Sequence, residues 1–304
     1  MAQDPKYLDS RTLERIKRLD VRARLVVEGF ITGEHRSPFN GLAVEFASHR
    51  EYVPGDEIKH IDWKVWSKTD RFYIKEYEEE TNLQCTLLLD CSKSMRYGET
   101  EGWSKFDYAA TAAASLAYLL QHQQDAVGLV AFNNRIEKNL PASSHPSRLK
   151  LMLHELEQLE PSDQTDVADV FVSLAQQIRR RGLVVLISDL LLDVEALEQA
   201  IRLFRLRRHE LIVIQVLHEH ELTFPFQDNT LFRGLESDAQ LLAEPRALRE
   251  SYLAALETHL KQVRKLCARS GVDYVLAGTH DPLDAVLAGY LSFRQRGGRA
   301  GART

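Results

Sequence analysis

From residue 84 onward, short continuous apolar runs alternate with longer segments whose apolar residues recur every three or four positions. Cys85-Thr86-Leu87-Leu88-Leu89 and Leu183-Val184-Val185-Leu186-Ile187 have no polar alternation, as expected of strands covered on both faces. This pattern predicts strands at 84–90, 126–132, 135–140, 183–187, 211–217 and 272–277. It predicts helices at 104–122, 146–159, 167–180, 194–207, 246–269 and 282–293. In the first of these helices Phe106, Ala109, Ala113, Leu116 and Leu120 make an apolar stripe, and its alanines permit close approach to a sheet. Ser104 and Asp107 form an S-x-x-D start, a variant of the capping box. Only Asn133-Asn134 separates two of the strands, so those two should pair as an antiparallel hairpin. The polar stretch 219–245 has room for a short hairpin. A β-α-β-α rhythm with continuous apolar strands specifies an α/β fold: a doubly wound, mostly parallel sheet flanked by helices.

The first 80 residues read differently. Leu8, Ile16, Leu19, Ala23 and Val26 are spaced as one face of a helix over 9–28. Arg11, Arg15, Lys17, Arg18, Arg22 and Arg24 fall on its other side. The expectation is a helix docked by its apolar face, with a solvated basic one. Between 40 and 80, Pro54-Gly55-Asp56 signals a turn and Arg71 to Tyr77 alternates like a strand. Trp63 and Trp66 are close enough in sequence to build a small packed core there. The tail from Arg294 to Thr304 has four arginines, three glycines and no acid, a composition that does not bury a core. These shifts divide the chain into an N-terminal extension (1–80), the α/β domain (81–293) and a basic tail (294–304).

Composition narrows the function. The 304 residues are 44% hydrophobic and 27% charged, ordinary globular usage. A net charge of -5 gives no reason to expect nucleic-acid binding. No apolar run reaches the roughly 20 residues of a membrane span. Met1 to Asp9 lack the apolar core of a secretory signal. Cys85, Cys91 and Cys267 include no C-x-x-C pair. A reducing cytoplasm is the expected location. Neither G-x-x-x-x-G-K-[ST] nor G-x-G-x-x-G occurs, so no nucleotide-binding residues are assigned.

The candidate chemistry lies where strands end. Asp90-Cys91-Ser92-Lys93-Ser94 follows the first apolar run, and Ser188-Asp189 follows the fourth strand. In a sheet ordered 3-2-1-4-5-6 the first and fourth strands are neighbours at the switch point. Asp90 and Asp189 would then stand about 5–10 Å apart. Ser92 and Ser94 project between them, and the loop carrying Thr165 can close a third side, with Asp163 and Asp166 as alternatives in that loop. Carboxylates and hydroxyls are hard oxygen donors suited to Mg²⁺ or Mn²⁺. With only two full negative charges among its donors, such a site leaves the cation electrophilic and ready to take a partner's carboxylate.

Asp90-x-Ser92-x-Ser94, Thr165 and Asp189 resemble the metal-ion-dependent adhesion site of von Willebrand factor A domains. The block from Arg50 to Trp63 (REYVPGDEIKHIDW) resembles the signature of the domain of unknown function 58 family. Ser188-Asp189-Leu190, Arg208-His209-Glu210-Leu211 and Gly271 to Leu276 fit the same family. The resemblance spans about residues 30–293. It implies a von Willebrand A-like domain with an N-terminal extension, acting as a binding module alongside a MoxR-type AAA+ ATPase in assembling or maturing other complexes. It further implies that Ser92 and Ser94 hold Mg²⁺ (or Mn²⁺) directly. Asp90 and Asp189 would act directly or through water, and Thr165 would join when the site closes.

Two other chemistries compete with this reading. Asp90 could serve as the nucleophile of a Mg²⁺-dependent phosphoryl hydrolase. The haloacid-dehalogenase pattern, however, needs a second Asp as proton donor where this chain has Ser92, so no enzymatic activity is expected. His218-x-His220 has the spacing of a transition-metal pair, but its default is a surface loop.

Overall fold

A computed structural model describes residues 18–33, 46–51, 65–66, 72–77, 83–162, 167–178, 180–237, 239–283 and 286–288. A six-stranded sheet dominates it, formed by β3 (Gln84–Asp90), β4 (Ala126–Phe132), β5 (Ile136–Ser143), β6 (Leu183–Ser188), β7 (Glu210–Leu217) and β10 (Asp273–Gly278). Counted within this sheet, the strand order is 3-2-1-4-5-6. Every pairing is parallel except β4 with β5 at one edge. Strands β3 and β6 are neighbours, with Leu89 opposite Ile187, so Asp90 and Ser188-Asp189 emerge side by side.

The period-2 alternation of side chains divides the core between two faces. Leu87, Leu89, Val185 and Ile187 point to one face. It is covered by α1 (Leu19–Gly33), α2 (Lys105–His122) and α3 (Pro146–Gln158). Leu88, Val184 and Leu186 point to the other, under α4 (Val167–Gln177), α5 (Val194–Leu206) and α7 (Pro245–Arg269). All six residues of β6 are buried, the reason its sequence lacks alternation.

Helix α2 is covered both by the sheet and by α1, which explains its many alanines: Ala109, Ala112, Ala113 and Ala117 are all buried. The expected cap is present in both directions. Ser104 Oγ accepts the Asp107 N–H at 3.0 Å, and Asp107 Oδ2 accepts the Ser104 N–H at 3.0 Å. Removing it with Ser104→Ala should cost about 1 kcal/mol in a urea melt.

Several expectations need correction. The β4–β5 connection has three residues, 133–135, and β5 runs on to Ser143. Asn133 is the cause. It is buried, its N–H bonds Arg135 O at 3.0 Å, and its Oδ1 accepts the Arg135 N–H at 3.1 Å, which closes the wider turn. Helix α4 stops at Gln177 rather than 180. Helix α1 reaches Gly33, beyond the expected 28, and the stretch 9–17 lies outside the described residues. Its Leu19, Ala23 and Val26 are buried as expected, and Val27 is buried with them. Arg22, placed by spacing on the solvated side, is instead buried with its guanidinium carbon 5.1 Å from the Trp103 ring centre.

In the extension, β1 (Phe46–Glu51) pairs antiparallel with β2 (Tyr73–Tyr77). Strand β2 was expected and β1 was not, because Phe46-Ala47-Ser48-His49-Arg50-Glu51 contains no β-branched residue. Trp63, the Pro54-Gly55-Asp56 turn and residues 294–304 lie outside the described residues. Trp66 is exposed and stacks on Phe72, also exposed, with ring centres 6.0 Å apart, so it is not the packed core residue expected. The stretch 219–245 holds the expected hairpin, β8 (Thr230–Arg233) with β9 (Gln240–Ala243), and an unforeseen short helix, α6 (Glu219–Thr223). Of the expected helix 282–293, residues 286–288 are described and helical.

Candidate functional site

Beyond the carboxyl ends of β3 and β6 the described predicted residues converge. Asp90, the last residue of β3, is fully buried. Its Oδ1 accepts the Ser92 N–H at 2.9 Å, and its Oδ2 accepts the Ser188 hydroxyl at 2.6 Å. Ser94 lies in the tight turn Lys93–Arg96, which brings its hydroxyl to 3.0 Å from that of Ser92. Ser94 also helps to lower the pKa of the Asp189 carboxyl. A row of polar groups therefore runs from Asp90 through Ser92 and Ser94 towards Asp189.

Burial and, next, the like charge of Asp189 push the Asp90 carboxyl up to about 7. Asp189 moves the other way. Burial alone would raise it, but Lys105, with help from Ser94 and the Leu191 N–H, holds it below the ordinary carboxylate range. Lys105 Nζ sits 2.7 Å from Asp189 Oδ2 and 2.8 Å from Glu221 Oε1, with its side chain only 1% exposed. Burial works against that ammonium, yet Asp189 and then Glu221 outweigh it and shift its pKa upward. It therefore stays charged and cannot act as a general base at neutral pH.

Surrounding elements fix these groups. Gln215 on β7 donates through Nε2 to Asp189 O at 2.8 Å, and Tyr274 on β10 donates its hydroxyl to Gln215 Oε1 at 2.7 Å. Leu190 adopts a left-handed conformation (φ 52°), which costs a leucine about 1–3 kcal/mol. Its complete burial, the Ser188 hydroxyl on its N–H at 3.0 Å and His259 Nε2 at 2.8 Å from its carbonyl offset that strain. Gly98 (φ 93°) lets the turn after Ser94 lie against α6. A Cβ there would come within 2.7 Å of Trp103 O and 2.8 Å of His218 Cδ2.

His218 is not in a surface loop as expected. It is 6% exposed and caps α6, its Nδ1 accepting the His220 N–H at 3.1 Å while Glu221 Oε2 accepts the His218 N–H at 2.8 Å. Cys91 is buried with its thiol on Phe132 O, the structural role expected of a small residue in a tight loop. Thr165, Asp163 and Asp166 lie outside the described residues. The chain leading to them is anchored at the site, since the Ser162 N–H bonds Cys91 O at 2.9 Å and Asn133 Nδ2 bonds Ser162 O at 3.1 Å.

Sequence reasoning missed Lys105, Ser188, Gln215, Glu221 and a further acid, Glu236. Lysine in the first turn of a helix opposes the helix dipole, and that was the legible hint that Lys105 has buried acidic partners. Glu221 stands three residues after the helix-capping His218, the Glu position of a capping box. For Glu236, which comes from the distant hairpin, there was no local signal.

Residues 48–262 match the model of the family described as "Protein of unknown function DUF58". The chain belongs to this family. Uncharacterized proteins of Mycobacterium tuberculosis and Mycobacterium bovis are each 24% identical to this DUF58 protein over 298 residues, covering 96% of it and 93% of themselves. Among solved structures, BatB from Bacteroides thetaiotaomicron is similar at 17% identity and a TM-score of 0.46, covering 70% of this chain and 98% of its own. The SpRpn10 VWA domain is similar at 12% identity and a TM-score of 0.39, covering 67% of this chain and 93% of its own. The DUF58 chain has an α/β fold, its doubly wound sheet carrying one antiparallel edge strand. None of its helices, among the described residues, is long and apolar enough to cross a membrane.

The donor set fits a small hard cation. Adjacent ligands about 2.1 Å from an octahedral Mg²⁺ are themselves about 3.0 Å apart. The Ser92 and Ser94 hydroxyls already have that separation, 3.0 Å. Two buried carboxylates that repel each other flank them. No group of three or more His, Cys, Asp or Glu side chains suited to a metal occurs among the described residues, so a cation here would depend on the two hydroxyls. Asp189 has one oxygen on Lys105 and the other on the Leu191 N–H at 3.2 Å, an arrangement that favours its action through water.

Proposed function

We propose that this chain is a non-enzymatic, metal-dependent protein-binding module. Ser92 and Ser94 would hold Mg²⁺ or Mn²⁺, with Asp90 and Asp189 beside them and Thr165 joining from its loop. The bound cation would supply a Lewis-acidic position for one carboxylate of a partner protein. The observation that carries this reading is the pair of hydroxyls 3.0 Å apart between two buried carboxylates at adjacent strand ends. Family membership and the resemblance of the D-x-S-x-S motif to an adhesion site support it.

The family resemblance also supports the wider role of adaptor or chaperone partner to a MoxR-type AAA+ ATPase in the cytoplasm. The chain has no nucleotide-binding motif of its own, so the ATPase would come from the partner. Binding is favoured over phosphoryl hydrolysis because Asp90 is 0% exposed and each of its oxygens accepts a hydrogen bond. A carboxylate so enclosed is poorly placed to attack a phosphoryl group, and Ser92 stands where the hydrolase pattern needs a general acid.

Affinity capture of a MoxR-type ATPase by the full chain, with Mg²⁺ and then with chelator, tests the reading. Capture should depend on Mg²⁺ and vanish in Ser92→Ala/Ser94→Ala. Equal capture by parent and variant in chelator would contradict it. Release of phosphate from a generic phosphomonoester, lost in Asp90→Asn, would support the hydrolase instead.

A further inference from the structure

We infer that Glu236, at the tip of the β8–β9 hairpin, occupies the partner-facing side of this site, so that a partner's carboxylate must displace it to bind. The inference rests on the metal-dependent reading above and concerns how that site is regulated.

Glu236 Oε1 accepts the Ser94 N–H at 3.3 Å, across 142 positions of sequence. Ser94 belongs to the centre of the site, its hydroxyl bonded to that of Ser92. The residues on either side of the acid, Leu235 and Ser237, are exposed, whereas Glu236 is half-buried. Among the described residues of the tip, Glu236 is the one turned inward, and it is a carboxylate.

The frame that delivers it is firmly mounted. Phe232 on β8 stacks on Phe224, with ring centres 5.7 Å apart, and meets Phe226 edge-on at 5.3 Å. Phe224 packs in turn on Tyr252 of α7 at 4.7 Å. The loop is closed by the Gly234 N–H on Ala239 O at 2.8 Å. A Cβ at Gly234 would lie 2.6 Å from Ser237 Oγ and 2.8 Å from Ser237 O, so the tight closure depends on glycine there. The hairpin directly follows α6, whose Glu221 holds Lys105 against Asp189, so one segment, 218–243, serves both the buried cation and the mouth of the site.

The contact between Glu236 and Ser94 is a long hydrogen bond to a backbone amide. A bond of that kind contributes little against water, so an outside carboxylate can exchange for it at Ser94. When a competing group in the same molecule holds a site most of the time, the apparent affinity for an outside ligand falls by the fraction of time the site is open. A resident carboxylate would restrict the site to partners whose acid binds well enough to replace it.

The test uses a fluorescein-labelled pentapeptide, Gly-Gly-Glu-Gly-Gly, followed by anisotropy against the full chain at saturating Mg²⁺. Mg²⁺ binding to each protein is measured separately by calorimetry. Glu236→Gln keeps an acceptor for the Ser94 N–H but removes the charge, and Glu236→Ala removes both. Both variants should bind the peptide about tenfold more tightly than the parent, and chelator should abolish the gain. Unchanged or weaker peptide binding in both variants, with Mg²⁺ binding intact in the parent, overturns the inference and leaves the metal reading standing. Absence of Mg²⁺ binding in the parent overturns both. Circular dichroism melts of the two variants matching the parent confirm that the hairpin is still folded.

Discussion

Lys105→Met lowers the unfolding free energy by about 3–5 kcal/mol, the usual cost of removing one member of a buried charge set. The methionine fits the space of the lysine stem, so the loss is electrostatic rather than steric. Asp189 and Glu221 each lose an ammonium at 2.7 and 2.8 Å, and Asp189 stays in a fully enclosed position. Its carboxylate would then repel Asp90, already raised to about 7, without compensation. Urea denaturation followed by tryptophan fluorescence reads the effect through Trp103, which is buried two residues before Lys105 at the start of its helix. The triple variant Lys105→Met/Asp189→Asn/Glu221→Gln should recover much of the loss, because a buried charge costs most when its partner alone is removed. A loss below about 1 kcal/mol in the single variant would mean that the ammonium is hydrated, not buried between the two acids.

Ser92→Ala/Ser94→Ala separates binding from stability. The two hydroxyls bond each other and help to lower the pKa values of the flanking carboxyls, and net contributions of single hydrogen bonds are about 1 kcal/mol each. The variant should therefore unfold within about 2–3 kcal/mol of the parent. Its Mg²⁺ affinity should nevertheless fall by about 100-fold or more, since losing even groups that merely orient metal ligands costs about 10–100-fold. This pair is a cleaner test than Asp189→Ala, which would also strip Lys105 of one of its two carboxylate partners. Calorimetric titration with MgCl₂, set beside the urea midpoints, checks both halves.

How much of this was legible in the sequence follows from the range of the interactions involved. Continuous apolar runs such as Leu183 to Ile187 can only be covered on both faces, so the parallel sheet and the juxtaposition of Asp90 with Asp189 could be read directly. Local signals also carried the Ser104–Asp107 cap and the short hairpin within 219–245, because each closes over a few neighbours. Side chains whose partners are distant could not be read that way. Lys105 meets Asp189 across 84 positions and Glu221 across 116, and Glu236 meets Ser94 across 142. Helical spacing likewise placed Arg22 on the solvated side of α1, because spacing describes one helix and not the second surface, Trp103, that packs over it. The strand-end pattern likewise brought Ser92 and Ser94 to the side of Asp90 and Asp189, but it gave no sign of the lysine that keeps Asp189 charged.

The most direct measurement of the central claim is Mn²⁺ binding to the full chain, followed by electron paramagnetic resonance as loss of the free-ion signal. The parent should bind one Mn²⁺ saturably, with Mg²⁺ displacing it, and Ser92→Ala/Ser94→Ala should leave the signal of the free ion undiminished. Equal Mn²⁺ uptake by parent and variant, or none by either, would contradict the assignment of Asp90, Ser92, Ser94 and Asp189 as a cation site.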